Sequence, residues 1–134
     1  MTESIEPADW QKSGAGRMTD KQRKMLNAVC GCLEQIHWHG NKLDKDSWRH
    51  LMSAVAAGQK MFPGWQYGDG RPQGFIMLGK SSMSLTRSEA ADAITLAVQL
   101  GDDPESQGIK AKPVRWTDTV LLGLGFNPHD FNER

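Results

Sequence analysis

The clearest helix start in the chain limits what it can fold into. Thr86 and Glu89 match the capping box, in which a threonine and an acidic or amide residue three positions later bond each other's backbone N–H groups. The residues that follow predict a helix with a wide, alanine-rich apolar face. Small side chains let helices approach closely, so we expect this helix to pack tightly. That face comprises Ala90, Ala93, Ile94, Ala97, Val98 and Leu100.

Three more helices are predicted by the same signals. One begins near Thr19, which forms a second capping box with Gln22, and is expected to end at Gly40. Another runs from about Asp44 to Gly58, and a short one begins at Trp116-Thr-Asp118. The first carries an apolar stripe at Met25, Val29, Cys32 and Ile36, and the second at Trp48, Leu51, Met52 and Val55.

The stretch between the helix that ends at Gly58 and the helix that begins at Thr86 has a different character. Two short apolar runs, Lys60 to Pro63 and Gly74 to Gly79, are separated by glycines and a proline, a pattern that predicts a β-hairpin with a long loop. The predicted fold is therefore mainly α, a small domain of about four helices with one β-hairpin. We expect a flexible N-terminal tail over residues 1–17, the helical domain over residues 18–125 and a C-terminal tail over residues 126–134.

Composition places the chain among globular proteins of the cytoplasm. No apolar run approaches the roughly 18 to 20 residues that a membrane helix needs, and the acidic start does not resemble a signal peptide. Cys30 and Cys32 are separated by one residue, a poor geometry for a disulfide, so we expect reduced thiols. Sixteen basic and sixteen acidic residues leave no net charge to steer a polyanion from a distance.

Motifs for catalysis or cofactor binding are weak. Cys30, Cys32, His37 and His39 have the residue types of a zinc site, but their spacing does not place them together on one helix. Gly74-x-x-x-x-Gly79-Lys80-Ser81 matches the phosphate-loop string, yet its four intervening residues are apolar and typical of a strand. We expect no enzyme activity, cofactor or metal. A metal-dependent nuclease remains an alternative, with Asp44 and Asp46, or Asp102, Asp103 and Glu105, as its carboxylates.

Basic residues form three local clusters that favour a nucleic-acid partner. They lie at residues 17–24, 71–87 and 109–116. Trp38, Trp65 and Trp116 each lie within a few residues of a basic side chain. Exposed tryptophans beside cations are typical of surfaces that bind single-stranded nucleic acid. Taken singly, each of these tryptophans fits a core position better than an exposed one.

Several strings, taken in order, resemble the NinB (Orf) family of phage recombination proteins. They are Asp20-Lys-Gln-Arg-Lys24, Trp38-His39-Gly40, Leu43-Asp44, Ser47-Trp48, Phe62-Pro63, Gly74 to Met83, Ser88-Glu89, Gly108-Ile-Lys and Trp116-Thr-Asp118. The resemblance implies a non-enzymatic recombination mediator that acts in the host cell cytoplasm. It also implies an intertwined homodimer that binds single-stranded DNA and the host single-strand DNA-binding protein. A protein-only adaptor of the replication or recombination machinery is the alternative.

The resemblance and the basic clusters together predict the DNA-contacting residues. The family's contacts carry over to Lys21, Gln22, Arg23 and Lys24, and with them to Lys80; the clusters add Arg87, Lys110, Lys112 and Arg115. The chain departs from the family in three places. Only about 18 residues precede the first helix where members carry a β-containing portion. Leu26 and Asn27 stand where an aromatic residue can follow the Arg-Lys pair, and the serine loop after Lys80 is shorter.

Overall fold

The structure, a computed structural model, describes residues 5–58 and 85–127 and the backbone of residues 61–63 and 75–77. These parts contain five α-helices, one 3-10 helix and two antiparallel hairpins. The helices are α1 (Pro7–Trp10), α2 (Asp20–Leu33), α3 (Lys45–Ala56), α4 (Arg87–Asp102) and α5 (Asp118–Gly123), with the 3-10 helix at Pro104–Gln107. The strands are β1 (His37–Trp38), β2 (Asn41–Lys42), β3 (Met61–Pro63) and β4 (Phe75–Met77).

The centre of the fold is a three-helix unit in which α2, α3 and α4 pack on one another. The alanine-rich face of α4 lies at its centre, since Ala90, Ala93 and Ala97 are fully buried. Trp48 of α3 is also fully buried, whereas Val55, predicted for the same face, is 44% exposed. α1 and α5 contact each other and α2. The mainly helical fold is therefore confirmed, and no helix within the described ranges is long and apolar enough to cross a bilayer.

Both predicted capping boxes are present. Thr19 Oγ1 accepts from the Gln22 N–H at 3.1 Å, and Gln22 Oε1 accepts from the Thr19 N–H at 3.0 Å. Thr86 and Glu89 repeat this exchange at the start of α4, at 3.1 and 2.9 Å. Each box satisfies two backbone N–H groups that a helix start leaves without partners, so these two starts are defined locally by the sequence.

The predicted hairpin is confirmed, and the described residues contain a second hairpin that the sequence pattern does not predict. β3 pairs with β4, from Met61 opposite Met77 to Pro63 opposite Phe75. The first predicted helix, however, ends at Leu33 rather than at Gly40, because residues 37–42 form the β1–β2 hairpin. Its two-residue turn, His39-Gly40, has positive φ at both positions (47° and 85°), as a type I′ turn requires. Trp38, in β1, contacts Trp48 edge-on, with ring centroids 6.2 Å apart.

The described part of the predicted N-terminal tail packs on the domain. Ile5 and Trp10 are 3% and 5% exposed, and the Trp10 indole N–H donates to the Gly123 carbonyl oxygen at 2.6 Å. Ile5 and Trp10 are thus part of the core, and α1 packs against α2 and α5. In the predicted C-terminal tail only residues 126 and 127 are described, and residues 128–134 lie outside the described ranges.

Candidate nucleic-acid interface

The segment before α2 lies beside the start of α4. Arg17 and Thr86 form an antiparallel bridge, in which the Met18 N–H donates to Leu85 O at 3.1 Å and the Arg87 N–H to Gly16 O at 2.8 Å. Two basic stretches that are some 70 positions apart in the chain thereby become neighbours.

Three arginines form what we call the basic corner: Arg17, Arg23 and Arg87. Arg87 donates from Nε to Arg17 O at 3.2 Å, and all three residues are exposed. Arg17 and Arg23 line one shallow cleft of about 160 Å³ with Met18, Thr19 and Asp20. Asp20 pairs with Arg23 at 3.1 Å, an exposed pair in which the arginine side chain is 44% exposed. Since such pairs contribute little net stability, Arg23 can exchange this carboxylate for a phosphate at small cost.

Gln22 belongs to the core, which corrects its assignment to DNA contact. It is 0% exposed, and its Nε2 donates to the carbonyl oxygens of Trp10 and Arg87, both at 3.0 Å. Its Oε1 accepts from the Thr19 N–H. The amide therefore joins α1, α2 and α4, and no part of it is available to a ligand.

The two lysines of α2 face different surroundings. Lys21 Nζ lies 3.3 Å from Asp9 Oδ2, in a partly exposed ion pair with α1. The pKa of Asp9 is lowered, first by the hydrogen bond from the Glu6 N–H and also by Lys21. Lys24 is exposed. Lys24 is next to Arg23 in the chain, so its charge adds to that of the basic corner.

Lys110, Lys112 and Arg115 form a second exposed cluster, at the opposite end of α2. Gln35 holds this segment in place, because its Nε2 donates to Arg115 O at 2.8 Å and its Oε1 accepts from the Arg115 N–H at 2.9 Å. α2 spans 14 residues, or about 20 Å, and separates this cluster from the basic corner. Lys80 lies outside the described residues.

The described tryptophans are mostly structural. Trp116 is 5% exposed, and its indole N–H donates to Asp102 Oδ1 at 2.8 Å. Trp38 is partly buried between His39 and Trp48, while Trp65 falls outside the described ranges. Base stacking on Trp116 is therefore ruled out by its burial.

The residues considered as candidates for metal binding or nucleophilic catalysis have structural roles. Burial raises the pKa of the Cys30 thiol to about 12, so it is neutral and unreactive in the folded protein. Asp44 caps α3 by accepting from the Ser47 N–H at 2.8 Å, which lowers its pKa, and Asp46 pairs with Arg49 at 3.4 Å. Within the described ranges, no three His, Cys, Asp or Glu side chains are grouped so that they could hold a metal ion.

Comparisons with a family model, with curated proteins and with solved structures all find NinB proteins. A family model described as NinB protein matches residues 13–110. Over 108 residues, 81% of this chain, the chain is 27% identical to protein ninB of Salmonella phage P22 and 26% identical to that of Escherichia phage lambda. The alignments cover 66% and 65% of those proteins, so the chain spans just under two thirds of their length. A solved structure titled NinB is similar at a TM-score of 0.53 and 25% identity, covering 85% of this chain and 72% of that one.

Proposed function

This chain belongs to the NinB family of phage proteins, and we propose that it is a recombination mediator without catalytic activity that binds single-stranded DNA through the basic corner. We assign Lys24, next to the corner, as a further DNA contact. Lys110, Lys112 and Arg115 form a second DNA-contacting surface in this proposal. In this proposal the protein acts as a homodimer in the host cell cytoplasm. It delivers DNA from the host single-strand DNA-binding protein to an annealing or exchange protein.

The observation that carries the proposal is the bridge between Arg17 and Thr86. It places Arg17 beside Arg87, and Arg17 shares a cleft with Arg23. Guanidinium groups bind phosphate oxygens with paired N–H donors, so three exposed arginines in one corner suit a phosphate backbone. The start of α2 adds the positive end of a 14-residue helix dipole to the same corner.

Binding of this kind depends strongly on salt but only weakly on sequence. If about three phosphates are neutralised, log Kd against log salt concentration has a slope magnitude of about 2 on single strands, because each phosphate contributes about 0.7. The absence of net charge means that local contacts, and not long-range attraction, supply the affinity.

Fluorescence polarisation of a labelled oligonucleotide at increasing salt tests the proposal. We expect saturable binding at low salt that weakens with the stated slope, and similar affinity for oligonucleotides of different sequence. Absence of binding at the lowest salt concentration would reject the DNA-binding role.

A protein adaptor is a second candidate function. Leu122 of α5 and Phe126 are 41% and 49% exposed, four positions apart near the end of the described chain. Both side chains offer apolar surface to a partner protein. A pull-down of the single-strand DNA-binding protein from nuclease-treated extract tests this candidate. Retention of that protein by a chain that binds no oligonucleotide would identify an adaptor alone, whereas a mediator binds both.

A further inference from the structure

A cleft of about 470 Å³ lies between the β1–β2 hairpin and the segment that follows the 3-10 helix. Three of its lining side chains can carry positive charge, His37, His39 and Lys110, and no carboxylate is among the lining residues. The complete lining is Gln35, Ile36, His37, His39, Gly40, Gly108, Ile109, Lys110 and Ala111. An uncompensated basic lining of this kind favours an anionic ligand.

The His39 ring lies at the end of a row of three aromatic side chains that leads into the core. It contacts Trp38 edge-on, with ring centroids 4.5 Å apart, and Trp38 in turn contacts the buried Trp48. Gly108 lies across from it, and a Cβ at that position would be 3.7 Å from His39 Cε1. One wall of the cleft is therefore an imidazole that faces a residue without a side chain.

The remaining walls combine an apolar base with basic edges. Ile36 and Ile109 are 4% and 6% exposed, so they line the cleft from the core side. His37 pairs directly with Lys42 across the hairpin, and residues paired in this way lie on the same face of a sheet. Lys42 therefore adds a positive charge beside His37. The Gln35–Arg115 hydrogen bonds hold the opposite wall.

We infer that this cleft binds one nucleotide of a single-stranded DNA, with the base against the His39 imidazole and Ile109 and the phosphate at Lys110 and His37. The flat face of a nucleobase stacks on an aromatic ring, while the phosphate requires a cation within reach, and the cleft offers both. Its volume lies within the roughly 300–1,000 Å³ typical of small-molecule sites. The inference rests on the proposed function and adds a base-contacting site about 20 Å from the basic corner.

An NMR titration of the full chain with thymidine monophosphate tests the cleft directly, with inorganic phosphate as the matched probe. The nucleotide is expected to shift the ring resonances of both His37 and His39, and phosphate only those of His37. Equal shifts with both probes would show an anion site without base recognition, and no shift with the nucleotide would show no site; either result overturns the inference.

Oligonucleotide affinity of variants provides the second test. His39→Asn removes the ring but keeps a residue that tolerates positive φ, and Lys110→Gln removes the cation. His39→Asn is expected to weaken binding about fivefold or more, as the loss of one stacked base does. Lys110→Gln is expected to weaken binding and to lower the salt slope by about 0.7, as the loss of one phosphate contact does. Both variants should keep the wild-type melting temperature. Lys45→Gln, an exposed lysine away from the cleft, serves as the control. If wild type binds the oligonucleotide and both cleft variants bind it with wild-type affinity, the cleft inference fails and the proposed function stands. If wild type does not bind, the proposed function fails.

Discussion

Arg87 donates a hydrogen bond from Nε to the backbone carbonyl oxygen of Arg17, at 3.2 Å, and both guanidinium groups belong to exposed residues. The bond fixes the start of α4 against the segment that leads into α2. It leaves the terminal nitrogens of Arg87 at the surface of the same corner that contains Arg23. The geometry of the proposed DNA contact thus depends on a tertiary contact between two distant parts of the chain.

Replacing the buried amide of Gln22 tests whether that residue is structural. In Gln22→Met the carbonyl oxygens of Trp10 and Arg87 lose their donor, and buried groups left without partners cost about 1–3 kcal/mol each. We expect a lower free energy of unfolding in urea and, at temperatures where the variant is folded, wild-type affinity for DNA. Weaker DNA binding without a loss of stability would restore Gln22 to the interface.

The close contact between Gly101 and Trp116 gives a second prediction. A Cβ on Gly101 would overlap the Trp116 ring and lie 2.8 Å from Val114 Cγ2, so Gly101→Ala should destabilise the protein by about 1–3 kcal/mol. Gly31→Ala is the matched control, because its Cβ would meet only Lys45 Cδ, at 3.8 Å. That variant should gain about 0.5–1 kcal/mol from the higher helix propensity of alanine. Equal effects in urea unfolding would contradict the packing described.

The buried Cys30 thiol predicts both reactivity and pH dependence. Its pKa rises from 9.0 to about 12 on folding, since burial disfavours the thiolate. A raised pKa of this kind stabilises the fold fully below about pH 9, and the contribution is lost as the pH rises towards 12. We expect no alkylation of Cys30 by iodoacetamide at pH 8 in the folded protein, and rapid alkylation in urea.

A companion measurement isolates this thiol from other groups that titrate in alkali. The free energy of unfolding should fall less steeply between pH 8.5 and 11 in Cys30→Ala than in wild type. Identical pH dependence in the two proteins, or fast alkylation of Cys30 in the folded state, would rule out the neutral buried thiol.

Features that depend on neighbours in the chain could be predicted from the sequence. The two capping boxes at Thr19 and Thr86, and the apolar stripe of α2, involve residues only three or four positions apart. The turn at His39-Gly40 is equally local, since both of its residues have positive φ. A glycine is also typical of a helix end, so the sequence predicts a helix up to Gly40 instead.

Features that depend on distant partners could not be predicted in this way. Trp10 finds its acceptor 113 positions away, at Gly123, and no local pattern shows that an indole near the start of the chain has such a partner. Gln22 lies in the first turn of α2, where a polar residue is usually exposed. It is buried because its amide donates to the Trp10 and Arg87 carbonyl groups, which are distant in the chain. The basic clusters were visible in the sequence, but the adjacency of Arg17 and Arg87 depends on the bridge between their segments.

The most direct test of the DNA-binding corner compares two charge-matched double variants by fluorescence polarisation across a salt series. Arg17→Gln with Arg23→Gln removes two cations from the corner, whereas Lys12→Gln with Lys45→Gln removes two exposed cations that do not line its cleft. The corner variant should lose about 1.4 from the slope magnitude, from about 2 to about 0.7, and bind more weakly at low salt. The control should retain the wild-type slope. Equal slopes in the two double variants would contradict the placement of single-stranded DNA at the basic corner.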